Sequence, residues 1–244
     1  MNTQSGLEQC LAFVNCQLRP TRTPTLSSVN GAHWRAVTIS RQAGAGGHLV
    51  AEKLAEYLQA AANGEGRPWT VFDRNLVEKV LEDHHLPGRL AKFMPEDRVS
   101  AIADTLEDLF GLHPPAGILA HKTAETILHL AELGNVILIG RAANIITSEL
   151  GTVFHVRLVG SMEKRIEYTQ QNKQLDKSAA LAFIRAEDRG RRRYLKEYFH
   201  KDIDDPLLYH VVINTDLVGY EAAAMFIANA MQARPMPSPS KLVK

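Results

Sequence analysis

The sequence predicts an α/β protein, a three-layer α/β/α arrangement around a five-stranded parallel sheet. Short runs rich in Val and Ile, apolar on both sides, recur between residues 35 and 215, as strands buried on two faces do. Longer stretches with helical spacing of apolar residues separate them. The resulting alternation of strand and helix is that of a parallel sheet covered by helices, in which ligands bind at the carboxyl ends of the strands.

Taken in order, residues 1–34 precede the domain. Leu7, Cys10, Leu11 and Val14 share one face of a helix over residues 5–17, and the Pro/Thr/Ser-rich "LRPTRTPTLSSVNGAH" reads as a linker. This amphipathic helix is expected to pack on the main domain or to form a homodimer contact. The domain itself spans 35–232. Its strands are expected at 35–40, 69–73, 135–140, 152–159 and 210–215. Its helices are expected at 46–62, 74–83, 96–110, 117–133, 161–172, 177–200 and 217–232. Gly134 is placed to end a helix before a strand, and Asp216 to cap the last helix. The Pro/Ser-rich tail 233–244 is expected to be disordered.

Composition narrows the function. A chain of 244 residues with 45% hydrophobic and 23% charged residues is ordinary for a globular protein. The net charge of +1 gives no global field for nucleic acid or anionic lipid, so neither is expected as a partner. No apolar run reaches the roughly 20 residues of a membrane span, and residues 1–34 lack the pattern of a signal peptide. Cys10 and Cys16 are the only cysteines, which suits a reducing compartment, and the cytoplasm is the expected location. The ten histidines form no H-E-x-x-H or zinc spacing, so no metal site is expected from protein ligands. Asp202, Asp204 and Asp205 read as caps or turn formers before Pro206.

The most informative stretch is "RAVTISRQAGAGGHLVAEKLAEYL", residues 35–58: an apolar strand, a glycine-rich loop and a helix. A phosphate-binding loop needs glycines so that successive N–H groups curl around the anion, and it opens a helix whose dipole faces it. Gly44, Ala45, Gly46, Gly47, His48 and Leu49 are the candidate cradle. Against G-x-x-x-x-G-K-[ST] the match is partial: Gly46 fits, while Arg41, Gly47 and His48 stand at the first glycine, the lysine and the Ser/Thr. Close backbone packing is an equally good explanation of such a loop.

In order, "TISRQAGAGGHLVAEKLAEYL", "VFDRNLVEKVLE", "VILIGRAANII" and "DRGRRRYLKEYFHKDIDDPLLYHVVINTDLVG" resemble segments of the cytidylate kinase-like family, over roughly residues 35–230. The resemblance implies the fold of the P-loop nucleoside-monophosphate kinases, with ATP and Mg²⁺ on the donor side and CMP or dCMP as acceptor. The family's S-R-x-x-G-S-G-G-R loop matches Ser40, Arg41, Gly44, Gly46 and Gly47; His48 replaces its final arginine. A neutral imidazole contributes less field than a guanidinium. In "ILIGRAAN", Gly140 and Arg141 match the family's G-R-D, whose arginine contacts the acceptor phosphate, and Ala142 replaces the sugar-contacting aspartate.

The resemblance also implies an acceptor segment beginning at Asp73 and Arg74, although helix capping explains Asp73 equally well. Residues 183–198 carry Arg185, Arg189, Arg191, Arg192 and Arg193, with Arg185, Arg189, Arg192 and Arg193 on one helical face. Glu187–Arg191 and Arg193–Glu197 are i, i+4 pairs that support the helix. The family's arginine-rich lid carries phosphate contacts, fitted here by Asp188, Arg189 and Arg193, with Arg165 a further candidate. Arg41, Arg141, Arg189 and Arg193 are thus the expected charge-stabilising catalytic residues, since phosphoryl transfer relies on positive charge around the moving group. Asn214 and Thr215, at the end of the last strand, lie where the donor base would sit, and a cap or turn explains them equally.

These observations lead to a nucleoside-monophosphate kinase-like phosphotransferase working without the usual lysine. Two other functions fit the same residues: a nucleotide-binding regulatory module that has lost transfer, and a kinase of another small acceptor.

Overall fold

Five strands form one all-parallel sheet in the order β2-β3-β1-β4-β5. In this computed structural model the described residues are 34–61, 68–73, 102, 105–107, 109 and 118–232. The strands are β1 (Ala36–Arg41), β2 (Thr70–Phe72), β3 (Val136–Ile139), β4 (Val153–Val159) and β5 (Val211–Asn214). The helices are α1 (Gly47–Ala61), α2 (Ile118–Leu133), α3 (Ala143–Ile146), α4 (Met162–Lys173), α5 (Lys177–Phe199), α6 (Thr215–Val218) and α7 (Tyr220–Ala230). The expected helix 5–17, the helix 74–83, Arg74, most of 96–110 and the tail 233–244 lie outside the described residues.

The period-2 alternation of strand side chains sorts the core into two layers. On one face Val37, Ile39, Ile137, Val156 and Ile213 pack against Val50 and Leu54 of α1 and Ala223 and Ile227 of α7. On the other, Ala36, Phe72, Val136 and Leu138 pack against Ile127 and Leu128 of α2, Ile145 and Ile146 of α3, and Leu195 and Phe199 of α5. Ile102 and Leu106 join this second layer. Helices therefore cover both faces, which is why the strands read as apolar throughout.

Gly134 follows α2 with φ +81°, and its N–H donates to the Leu130 carbonyl, the left-handed termination expected of it. Asp216 does not cap the last helix. That segment is broken at Gly219 (φ +77°) into α6 and α7, Asn214 caps α6, and the Asp216 carboxylate instead accepts from the Ser161 N–H at 2.6 Å. Asp202 and Asp205 do the local work expected of them, accepting from the N–H groups of Asp204 and Leu207. Among the described residues no helix is long and apolar enough to cross a membrane.

Candidate functional site

The strand order decides where a ligand can sit. From β1 the chain passes β3 to reach β2, and from β3 it passes β1 to reach β4. Connections leaving in opposite directions open a crevice between the carboxyl ends of β1 and β3. A cavity of about 230 Å³ lies there. Ser40, Arg41, Gly140, Arg141 and Ala142 line it from the sheet, and Glu187, Gly190, Arg191 and Tyr194 line it from α5.

Its sheet side is a turn of unusual backbone. Gly140, Arg141 and Ala142 have φ of +79°, +54° and +56°, three left-handed residues in succession. Each of the two with side chains costs about 1–2 kcal/mol relative to an ordinary conformation, and such strain persists where the surroundings fix it, often at functional sites. The turn launches the short helix α3, which the strand–helix pattern of the sequence does not reveal.

Arg41 ends β1 and reaches over this turn. Burial, and then the neighbouring Arg191 guanidinium, push its pKa down to about 9, with Glu187 and Asp73 opposing the fall. An anion in the cavity would offset what burial and repulsion cost this guanidinium. Arg191 itself hydrogen-bonds Glu187 at 2.7 Å and Asp188 at 3.3 Å, and burial lowers its pKa too. Beneath them, Arg157 of β4 is buried, donating to Ser40 Oγ at 2.9 Å and to Asp204 at 2.8 Å. Arg192 donates to the other Asp204 oxygen at 2.7 Å. Burial alone would raise the Asp204 pKa, but these two guanidinia outweigh it and hold the carboxyl below its ordinary value.

The glycine loop borders this cavity at Arg41 and is packed on every side. Gly44 (φ +81°) abuts the backbone of Arg165 and the side chain of Thr169, Gly46 (φ +71°) the ring of Tyr220, and Gly47 the side chain of Arg41. A β-carbon at any of the three would overlap a neighbour, so close packing accounts for each glycine in this state. The Ala43 N–H donates to Asp188 Oδ1 at 2.7 Å, and Arg165 Nη1 donates to Asp188 Oδ2 at 2.6 Å and to the Ala43 carbonyl at 3.2 Å. Ala45 is buried, Leu49 half-buried, and His48 lies 3.3 Å from Glu52 one turn along α1.

Of the expected site residues, the structure brings Arg41 and Arg141 together at the cavity, with Asp73 near enough to act on Arg41. Arg189 and Arg193 are exposed on the opposite side of α5 and line no cavity described here; Arg193 sits 3.8 Å from Glu197. The expected arginine face is thus the solvent face, because it is the polar stripe of an amphipathic helix. The cavity face is Glu187, Gly190, Arg191 and Tyr194. Asn214 accepts locally from the Asp216 N–H, and Thr215 donates to the Val159 carbonyl at the end of β4. Arg157 is the cationic residue that sequence reasoning left out, and Arg191 was named in the arginine cluster but assigned to helix support. Arg157 was signalled by a charge inside an apolar strand, in phase with His155.

The sequence profile of the cytidylate kinase-like family matches residues 36–217. The chain belongs to the cytidylate kinase-like family. Membership places it among kinase-like, nucleotide-handling phosphotransferases at that level of description. No curated protein matches the chain. The crystal structure of an uncharacterized protein from Eubacterium ventriosum ATCC 27560 is similar, with a TM-score of 0.63 at 20% identity, covering 82% of this chain and 98% of that one. At that identity the likeness speaks for the fold this family member shares.

Proposed function

We propose that the protein transfers the γ-phosphoryl group of ATP to the phosphate of a nucleoside monophosphate, CMP or dCMP. The observation that carries this reading is the convergence of Arg41, Arg141 and Arg191 on one cavity at the strand-order switch point. Arg141 and Arg41 hold the acceptor phosphate, and Arg191 adds positive charge from the α5 side as charge moves during transfer. The family's G-R-D aspartate is Ala142 here, so sugar recognition falls to other groups around the cavity.

The cavity is somewhat smaller than the roughly 300 Å³ at which ligand pockets begin, and its roof is α5. Outward movement of α5 would enlarge the cavity for a nucleotide, and the return of the helix would exclude water from the reaction. Among the described residues no group of three or more His, Cys, Asp or Glu is arranged to hold a metal. Mg²⁺ would come on the donor phosphates, the usual arrangement for this ion, and would neutralise their charge.

The test is ATP consumption with Mg²⁺ against CMP, dCMP, UMP, AMP and no acceptor, with Arg141→Ala alongside. The reading requires ADP formation that depends on the acceptor and falls about 10³-fold in the variant, the usual cost of losing a phosphate-stabilising arginine. No stimulation by any acceptor, with ATP or CMP still raising the melting temperature, would identify a binding module instead. The tight packing around Gly44 and Gly46 is the observation on that side.

A further inference from the structure

Asp188 is held as a bound anion is held. Its two oxygens accept from a backbone N–H of the glycine loop, from Arg165 and from Arg191, at 2.7, 2.6 and 3.3 Å. All these partners are donors, and two of them are guanidinia. The same set would serve a phosphate group, and the N–H comes from the loop that resembles a phosphate cradle. Arg165 Nε is buried with no acceptor among the described residues. The two carboxylate oxygens leave that donor unused, whereas a phosphate brings a third oxygen.

We propose that this corner is a phosphate subsite for the donor nucleotide, closed in the free protein by the Asp188 carboxylate, which the incoming phosphate displaces. The inference rests on reading the glycine loop as the donor side. Asp188 belongs to α5, beside Glu187 and Arg191 of the acceptor cavity. Displacing it therefore removes one tie between α5 and the loop, others being the Arg191–Arg41 carbonyl contact at 3.4 Å and the packing of Ala43 on Ile184, and frees Arg165 and Arg191 for the ligand. The movement that admits the donor phosphates is then the same one that enlarges the acceptor cavity, so the two sites are coupled through one helix. A protein whose site is closed most of the time binds more weakly by the fraction of time it is open.

The experiment measures the affinity of the full chain for inorganic tripolyphosphate by calorimetry, with Asp188→Asn and Asp188→Ala beside it. Both variants are expected to bind at least about tenfold more tightly, because the competing state is weakened or gone. Unchanged or weaker binding in the folded variants would overturn the proposal, since Asp188 would then be a clamp or a residue that presents the arginines. Should neither variant fold, the unaltered protein labelled with ¹³C at Asp side-chain carboxyls gives the answer. The Asp188 resonance is expected to move on tripolyphosphate addition with the calorimetric Kd, and an unmoved resonance at saturation sinks the idea. Neither readout involves an acceptor or turnover. A protein that fails the kinase assay can pass this one, and a working kinase can fail it.

Discussion

The guanidinium of Arg41 rests on Gly140, with its Cζ 3.2 Å from where a β-carbon would stand and its Nη1 closer still. The side chain from the end of β1 thus occupies the space that the missing side chain at the end of β3 leaves open. Gly140→Ala is expected to act twice. The left-handed φ of +79° costs about 1–2 kcal/mol with a side chain, and Arg41 must leave its place. Denaturant melts should show the destabilisation. Acceptor KM should rise about tenfold or more, the effect of losing roughly 1.4 kcal/mol of binding. A variant with lowered stability but unaltered KM would mean that Arg41 does not hold the acceptor.

The arginines of α5 divide by direction. Arg191→Ala should reduce kcat/KM by two to three orders of magnitude, on the order of an arginine that stabilises the transferring group. Arg189→Ala and Arg193→Ala should change it less than about twofold, as exposed substitutions do, because both face solvent. Steady-state kinetics on the three variants decides this, and equal losses would return the solvent-facing arginines to the site by way of a larger rearrangement of α5.

Arg41 also predicts a trade between stability and binding. Its charge is half-buried beside Arg191, so removing it should relieve the free protein. Arg41→Met is expected to melt at the same temperature as the parent or higher, since a well-packed apolar replacement of a buried charge is often stabilising by about 1 kcal/mol or more. CMP at a hundredfold excess over Kd should stabilise the parent by about 2.7 kcal/mol and leave the variant unmoved. Thermal melts with and without CMP test both halves.

Away from the site, His155 is buried in β4, its Nδ1 2.9 Å from Thr38 Oγ1 and its ring 5.0 Å from that of His210. Burial, with a smaller contribution from His210, pushes its pKa down to about 3, and burial lowers that of His210 as well. In the unfolded chain a histidine takes a proton near pH 6.5. Between about pH 6.5 and 3 the unfolded state therefore binds more protons than the folded one, and stability falls as pH falls. The loss from His155 is on the order of a few kcal/mol across that window. Urea midpoints taken from pH 7 to pH 4 should drop, and His155→Gln should flatten the slope. A slope unchanged by that substitution would assign the acid sensitivity to other groups.

How much of this was legible follows from what each residue type faces. The five strands appear where their doubly buried, β-branched runs put them, with ends displaced by a residue or two. Burial on both faces leaves a strong linear signal. Arg41, Gly140 and Arg141 were reachable because a strand's carboxyl end is a fixed place in such a sheet. The cavity face of α5 was not legible. A helical pattern of charges reports the side that water sees, whereas the cavity side mixes Ala186, Gly190 and Tyr194 with a single arginine. The small residues there were the available cue to close approach. Asp188 was singled out with the arginines around it, but its contact with the glycine loop was hidden for another reason. Arg191 is three residues away, but its other two partners, Ala43 and Arg165, lie 145 and 23 residues away, and no local spacing encodes that meeting.

The left-handed turn at Gly140–Ala142 also limits which sequences this position can explore. With φ at +56°, residue 142 accepts Ala, Gly, Asn or Asp and excludes Val, Ile or Thr, whose branched β-carbons clash there. The polarity of the acceptor wall can thus drift by a single base-pair change while its shape stays put. Asp is among the residues this φ admits, so the aspartate that the family resemblance implies could be introduced without altering the turn, at the cost of burying a carboxylate where Ala142 is 4% exposed. If the cavity takes the acceptor as proposed, its selectivity would turn on side-chain choice at this one address, open to directed evolution at one codon.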